Sequence, residues 1–140
     1  MQWTPGKNAG FSTADSTWLP VEPNYLAVNV ETEEKDPNSL LNWHKALIAL
    51  RRRTPVLRSG DQKTFSTGND KTVAYTRIAG AKQIIVITNF SGTVQEVNMG
   101  TLAAKKMRTL QANFTPEIAR GVFKSTLTLP AYGAFVGEID

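Results

Sequence analysis

The pattern of hydrophobic and polar positions divides the chain into a helical part and a β-rich part. Over residues 40–53 the apolar positions cover roughly 220° of a helix surface, at about 100° of turn per residue. A helix on the surface of a globular protein typically buries a stripe only about 100° wide. This helix is therefore expected to pack on two sides. From residue 61 onward apolar and polar residues alternate, as over 72–78 and 122–129, and the alternation predicts strands.

The strand region has the features of an antiparallel β-sandwich. About six or seven short strands fit between turn signals such as Gly68-Asn69 and Ser91-Gly92. The run Ile84–Ile87 is continuously apolar, as expected for a central strand that is covered on both faces. The alternation over 122–129 adds three side chains to the predicted core: Phe123, Leu127 and Leu129. The predicted fold class is mainly β, an antiparallel β-sandwich preceded by a loop and one α-helix.

The residues before the helix are predicted to form a long loop. Prolines and glycines interrupt residues 1–36 too densely for a long helix or strand: Pro5, Gly6, Gly10, Pro20 and Pro23. Asp36 is expected to cap the helix, with Pro37 at the first helical position, where its missing N–H costs nothing. Thr54 is expected to end it, because a residue before proline avoids the α region. The predicted helix covers about 37–53.

Composition changes near Gly60, and the change predicts two domains. Residues 1–60 hold all three tryptophans and five of the seven prolines, whereas residues 61–140 hold seven of the ten glycines. We therefore assign 1–60 and 61–140 to separate domains.

Overall composition excludes several kinds of site. The chain of 140 residues has no cysteine and one histidine. It cannot hold a disulfide, a thiolate zinc site or a histidine-rich metal site, and no metal or cofactor is expected. The apolar runs are far shorter than the roughly 20 residues of a membrane-spanning helix, and the start of the chain lacks the layout of a signal peptide. A cytoplasmic protein without a membrane partner is expected.

Basic residues form two clusters, at 51–53 and 105–108, within a net charge of +4. Nucleic-acid-binding surfaces usually combine such charges with a recognisable motif or with aromatic stacking positions. Neither accompanies these clusters. They are interpreted as solvated helix ends and strand edges, and no nucleic-acid partner is expected.

Aromatic and acidic residues are the candidates for sugar chemistry. Four aromatic side chains of the loop either stack on sugar rings or anchor the loop to a domain: Trp3, Phe11, Trp18 and Tyr25. Glycoside hydrolysis needs two carboxylates roughly 5–9.5 Å apart across the sugar. Asp15 and Glu22, in the aromatic loop, are the better-placed candidates. The acidic cluster over 31–36 is interpreted as negative charge that favours a helix N-terminus.

Three polar residues receive structural interpretations. His44 is within the apolar arc of the helix, where a lone histidine is typically a hydrogen-bonded core residue. Asn89-Phe90-Ser91 and Asn113-Phe114-Thr115 match the acceptor pattern for N-glycosylation. Without a secretion signal, both asparagines are interpreted as turn residues.

An ordered series of short motifs resembles a known family. In chain order the motifs are Met1-Gln2-Trp3, Asn8-Ala9-Gly10-Phe11-Ser12, Trp18-Leu19-Pro20-Val21, Pro23-Asn24-Tyr25, Val28-Asn29-Val30 and Asp36-Pro37-Asn38-Ser39. This series resembles the α-amylase superfamily (glycoside hydrolase family 13), in its oligo-1,6-glucosidase and maltase-like branch. The later part, with Asn89-Phe90-Ser91 and the segment 129–135, looks like the C-terminal β-domain of that family. The resemblance covers essentially the whole chain.

The resemblance implies a C-terminal fragment of a retaining α-glucosidase-like hydrolase of α-linked gluco-oligosaccharides. Residues 1–60 would be the loop and last helix of a (β/α)₈ barrel, and 61–140 the C-terminal domain. The family's three catalytic carboxylates precede the first motif, so no catalytic residue is expected in this chain. Trp3 and Phe11 are expected near the substrate. The expected partners are the missing catalytic barrel and, through the 40–53 helix, a second copy of the chain.

Two other functions remain open at this point. The heavy chains of heteromeric amino-acid transporters look similar over the same region and use the fold as a partner domain, without hydrolysis. A free-standing carbohydrate-binding β-module would bind sugar without the barrel. A carboxylate triad upstream of this region would indicate the hydrolase, whereas an upstream transmembrane helix would indicate the transporter heavy chain.

Overall fold

The computed structural model describes residues 1–117 and 119–140 and contains two compact units, Met1–Ala49 and Leu50–Asp140. The second unit begins before Gly60, where the composition changes, because a short helix ahead of Gly60 packs on the strands that follow. The assignment of 1–60 and 61–140 to two domains of a larger protein stays a prediction.

The first unit contains a helix within the segment where the sequence predicts a loop. Its elements before residue 36 are the 3-10 turns Lys7–Gly10 and Pro23–Leu26 and the helix α1, Val30–Lys35. Asn29 caps α1: its Oδ1 accepts a hydrogen bond from the Thr32 amide at 2.9 Å, and its Nδ2 donates to the Tyr25 carbonyl at 2.8 Å. The loop prediction is wrong over α1, because the asparagine cap and acidic residues in the first turn outweigh the neighbouring prolines.

Helix α2 (Leu40–Arg53) ends where the sequence predicts but begins later. Ser39 caps it, since the Ser39 Oγ accepts a hydrogen bond from the Asn42 amide at 3.1 Å. The predicted cap at Asp36 is wrong. Its carboxylate accepts instead from the Asn38 amide at 2.9 Å and closes a turn that precedes the helix.

Part of the broad apolar surface of α2 is open to solvent. Leu40 and Ile48 are 65% and 59% exposed, and His44, one turn from each, is exposed as well. The interpretation of His44 as a hydrogen-bonded core residue is therefore wrong. The apolar arc is present as predicted, but this chain leaves one side of it uncovered.

The second unit contains the end of α2 from Leu50 onward, followed by a further short helix and antiparallel strands. In chain order these are α3 (Pro55–Ser59), β1 (Asp61–Phe65), β2 (Thr72–Ala79), β3 (Lys82–Asn89), β4 (Gln95–Asn98), a 3-10 turn (Gly100–Leu102), β5 (Lys106–Ala112), β6 (Arg120–Val122), β7 (Thr126–Leu129) and β8 (Ala134–Ile139). Within the described residues they form a six-stranded sheet, ordered β1-β2-β3-β8-β5-β6, and a two-stranded sheet, β4-β7.

The hydrophobic core joins these two sheets. Its buried side chains include Ile85, Ile87, Met107 and Phe135 from the six-stranded sheet, and Val97, Leu127 and Leu129 from the two-stranded sheet. The predicted antiparallel sandwich is thereby confirmed. The predicted core positions of Phe123, Leu127 and Leu129 are also confirmed.

The alternating segment over 122–129 is not one strand. β6 belongs to the six-stranded sheet and β7 to the two-stranded sheet, with residues 123–125 as the link between them. Phe123, in this link, is buried and meets Phe135 edge to face at a ring-centroid distance of 5.7 Å. The alternation continues through the link because its apolar side chain still faces the core while the chain changes sheets.

β3 is covered on both faces, as its apolar run predicts. Ile85 and Ile87 are fully buried in the core, and the strand lies between β2 and β8. Ile84 is buried on the opposite face of the sheet, where α3 packs on β2 and β3.

Replacement of Ile85 by alanine is expected to lower the free energy of unfolding by about 2–5 kcal/mol, because the deleted atoms leave a cavity in a close-packed core. The control is Val73→Ala in β2, where the side chain is exposed and the expected loss is below about 1 kcal/mol. Chemical denaturation of both variants beside the wild type measures the two changes. Equal losses would contradict a central, doubly covered β3.

Candidate functional site

An apolar groove lies along the loop at the start of the chain. It has a volume of about 450 Å³ and is lined by Phe11, Trp18 and Leu19 together with Glu22. Trp18 is 96% exposed. Isolated apolar side chains on a surface are common, but two aromatic side chains that line one open apolar groove make it a candidate interaction site. The groove is the candidate binding site of the first unit.

The turn that precedes Phe11 has three consecutive residues in the left-handed region. The φ angles of Asn8, Ala9 and Gly10 are 53°, 52° and 76°. Glycine adopts this conformation freely and asparagine more readily than most residues, but alanine pays roughly 1–2 kcal/mol for it. A Cβ atom at Gly10 would also be only 3.0 Å from that of Trp3. Backbone strain of this kind is concentrated at functional sites.

Hydrogen bonds hold the strained turn in place. The carbonyl of Ala9, which is fully buried, accepts from the Trp3 amide at 2.9 Å. The Asn8 Nδ2 donates to the carbonyls of Ser12 and Ala14, at 3.2 and 2.7 Å. Phe11 therefore follows a turn that is hydrogen-bonded both to the residues before it and to the residues after it.

The two residues expected near the substrate are both exposed in the first unit. Trp3 is 55% and Phe11 52% exposed. The structure brings Phe11 together with Trp18 in the groove, whereas Trp3 does not line it. Tyr25 is half-buried and does not line the groove. The proximity of Trp3 and Phe11 to a substrate stays a prediction.

Asp15 and the acidic cluster over 31–36 make structural contacts in the first unit. Asp15 forms an exposed ion pair with Lys7 at 3.0 Å, and of the two candidate carboxylates only Glu22 lines the groove. The Glu33 carboxylate accepts a hydrogen bond from the Leu41 amide at 3.0 Å. This contact places negative charge at the N-terminus of α2, as the interpretation of the acidic cluster predicts.

The two asparagines of the glycosylation pattern are structural. Asn89 is buried at the end of β3, and its Nδ2 donates to the carbonyls of Thr93 and Pro130, both at 2.8 Å. The Asn113 Nδ2 donates to the Tyr132 carbonyl at 2.9 Å. Amide groups engaged in this way hold the connections between strands. Asn89 is the last residue of β3, and the interpretation of the two asparagines as turn residues in place of glycosylation acceptors stays a prediction.

Neither a metal cluster nor a membrane-spanning helix is present in the described part of the chain. Residues 1–117 and 119–140 contain no group of three or more histidine, cysteine, aspartate or glutamate side chains that could hold a metal ion. No helix among the same residues is long and apolar enough to cross a membrane.

Comparisons with known sequences agree with the motifs. The sequence model of the alpha-amylase catalytic domain matches residues 1–60. The oligo-1,6-glucosidase of Parageobacillus thermoglucosidasius is 43% identical over 91 residues, which are 65% of this chain and 16% of that protein. The trehalose synthase/amylase TreS of Mycobacterium tuberculosis is 32% identical over an alignment of 145 residues that takes in 96% of this chain and 24% of the relative.

Solved structures share the fold over nearly the whole chain. The trehalulose synthase MutB from Pseudomonas mesoacidophila MX-45 superposes with a TM-score of 0.87 at 27% identity, covering 99% of this chain and 24% of the synthase. The chain belongs to the α-amylase family, glycoside hydrolase family 13. Its curated relatives include oligo-1,6-glucosidases and a maltase, which is the branch that the motifs indicate. The chain spans only 16% of the length of the first of these relatives.

Replacement of Ala9 by valine is expected to open the strained turn, because a β-branched residue fits neither a φ of 52° nor a fully buried site. Amide hydrogen exchange at Trp3 should become about tenfold faster or more. The control is Ala14→Val, at an exposed position, which should leave exchange at Trp3 unchanged. Equal protection of Trp3 in both variants would contradict the strain at Ala9.

Proposed function

We propose that this chain is the C-terminal, non-catalytic portion of a retaining α-glucosidase-like hydrolase that acts on α-linked gluco-oligosaccharides. The names of its relatives, oligo-1,6-glucosidase, maltase and glucan 1,6-alpha-glucosidase, support this class of substrate. The small share of those relatives that the chain covers supports a portion without the catalytic machinery. In this proposal the sandwich unit packs on the catalytic barrel and stabilises it.

The observation that carries the proposal is the exposed apolar surface of the first unit. Its exposed large apolar side chains are Met1, Trp3, Phe11, Trp18, Leu19, Leu26, Val28, Leu40 and Ile48. At roughly 25 cal/mol per Å² of apolar area, leaving all of them in water forfeits several kcal/mol. Surfaces of this kind are usually interaction sites. The proposed cover is the catalytic barrel, because the catalytic-domain sequence model matches the same part of the chain.

The groove of Phe11 and Trp18 is the proposed substrate-facing part of the first unit. Sugar rings present apolar C–H faces, and an exposed aromatic plane can stack on them. The hydrogen-bonded turn at Asn8 and Ala9 supports this role, since a binding residue on a fixed turn loses little conformational freedom when a ligand arrives. Trp3 and Phe11 are the proposed substrate-proximal residues.

A chimera tests the proposed function. This chain replaces the matching segment of the Parageobacillus oligo-1,6-glucosidase, and hydrolysis of an oligo-1,6-glucoside is measured. We expect an active chimera in which Phe11→Ala lowers kcat/KM by about tenfold, through loss of stacking worth roughly 1–1.5 kcal/mol. The control Phe90→Ala, at an exposed phenylalanine of the second unit, should leave kcat/KM unchanged. A folded chimera without activity would contradict the proposal.

The isolated chain is expected not to hydrolyse a chromogenic α-glucoside. Asp15 forms an ion pair with Lys7 and does not line the groove, so the groove lining offers Glu22 as one carboxylate of the two that hydrolysis needs. Turnover well above buffer that disappeared in Asp15→Asn or Glu22→Gln would overturn the assignment as a non-catalytic portion.

We also propose that the isolated chain pairs with a second copy through the exposed side of α2. A self-complementary apolar patch closes with two-fold symmetry, the commonest symmetry of oligomers. Sedimentation should show a dimer for the wild type and a monomer for the Leu40→Glu, Ile48→Glu variant. The Ser16→Glu, Asn38→Glu control adds the same charge at exposed polar positions and should remain dimeric. A wild type that stays monomeric at high concentration rules the pairing out.

The cytoplasmic location predicted from the sequence stays a prediction. Fractionation of cells that express the complete protein tests it.

A further inference from the structure

A polar groove lies on the outer face of the six-stranded sheet, within the second unit. Its volume is about 410 Å³, which is within the range of small-ligand sites. Three buried apolar side chains line it, those of Leu50, Val56 and Ile84. Its charged lining consists of Arg53, Lys82, Arg108 and Glu138. Apolar walls with a few convergent polar groups are the general form of a binding site for a small polar molecule.

The fold brings together basic residues that are far apart in the sequence. Arg53 ends α2 and comes from the cluster at 51–53, whereas Arg108 is in β5 and comes from the cluster at 105–108. Lys82, the first residue of β3, supplies a third charge. The other basic residues of the two clusters do not line the groove. Strand order therefore brings Lys82 and Arg108 together, and the end of α2 adds Arg53, which distinguishes this groove from a general basic surface.

A β-bulge in β5 shapes one wall of the groove. The register between β5 and β8 shifts between Thr109 and Gln111. Arg108, Thr109 and Leu110 all line the groove, although consecutive residues of a regular strand point to opposite faces of a sheet. Bulges recur beside functional sites because they redirect side chains in this way.

Positive charge is in excess within the groove. Arg108 forms an ion pair with Glu138, its cross-strand neighbour on β8. Arg53 and Lys82 have no carboxylate partner among the ion pairs of the described residues. Three cations against one carboxylate leave the groove with a net charge of +2.

We propose that this groove binds a tetrahedral phosphate dianion, either inorganic phosphate or the phosphate monoester of a sugar. A phosphate monoester carries roughly −1.5 to −2 charge at neutral pH, which complements the excess in the groove. Arginine offers a planar fork of N–H donors to phosphate, and lysine adds a mobile point charge. The apolar lining at Leu50, Val56 and Ile84 suits the carbon atoms of a sugar. The inference concerns only the second unit and does not rest on the proposed hydrolase function.

Calorimetric titration of the full chain at about 0.15 M salt tests the site, with inorganic phosphate and glucose 6-phosphate as probes and glucose as the neutral reference. We expect phosphate binding without glucose binding. The Arg53→Gln, Lys82→Gln variant should bind phosphate about tenfold more weakly or worse, because both free cations are removed. Tighter binding of glucose 6-phosphate than of inorganic phosphate supports the monoester as ligand, and equal affinity supports the free ion.

The matched control is Lys63→Gln, Lys71→Gln, which removes the same charge from two exposed lysines outside the groove. Its phosphate affinity should equal that of the wild type. All four substituted side chains are exposed, so the variants should fold, and thermal unfolding verifies this. Failure of both phosphates to bind, or equal weakening in the two double variants, would overturn the proposal.

Discussion

The burial of β3 on both faces is the constraint on which the second unit depends. Ile85 and Ile87 face the core between the two sheets, and Ile84 lies on the face that α3 covers. Apolar area left in water costs roughly 25 cal/mol per Å², so a strand of this composition requires a cover on each side. The two-stranded sheet supplies one cover and α3 supplies the other. This requirement explains why the compact unit begins at Leu50, within α2, and not at the first strand.

The first unit differs from the second, because polar contacts to the backbone hold its turns while many large apolar side chains stay exposed. Asn8, Asn29 and Glu33 hold its turns and helix ends through hydrogen bonds to the backbone. Trp18 and Ile48 are among the apolar side chains that remain in solvent. Hydrogen bonds fix the shape of such a unit, but each contributes only about 0.5–1.5 kcal/mol net to stability. Burial against further protein is the natural source of the remaining stability, and this is the physical basis of the proposal that a catalytic barrel covers it.

Sequence patterns predicted the parts of the fold in which local preference and burial agree. The continuous run at β3 and the alternation around Leu127 and Leu129 each follow from the faces that those strands bury. Helix α1 was missed because six residues capped by Asn29 carry no hydrophobic periodicity. The prediction that His44 is buried is wrong because its burial depends on what covers α2. The spacing of apolar residues along the helix does not specify that cover.

The two candidate sites differ in how far the sequence predicts them. Phe11 is recognisable because the motifs of the first 39 residues follow one another in a fixed order and resemble those of a known family. The convergence of Arg53, Lys82 and Arg108 depends on the position of the end of α2, on strand order and on a bulge, and none of these has a signature in the spacing of the residues. Hydrogen exchange over 1–49, compared between the isolated chain as a monomer and the chimera with the oligo-1,6-glucosidase, tests the central claim most directly. The account predicts that amides in this unit exchange at least about tenfold more slowly in the chimera, while the exchange rates of amides in 61–140 change little. Equal protection of 1–49 in both proteins would contradict the claim that further protein completes the first unit.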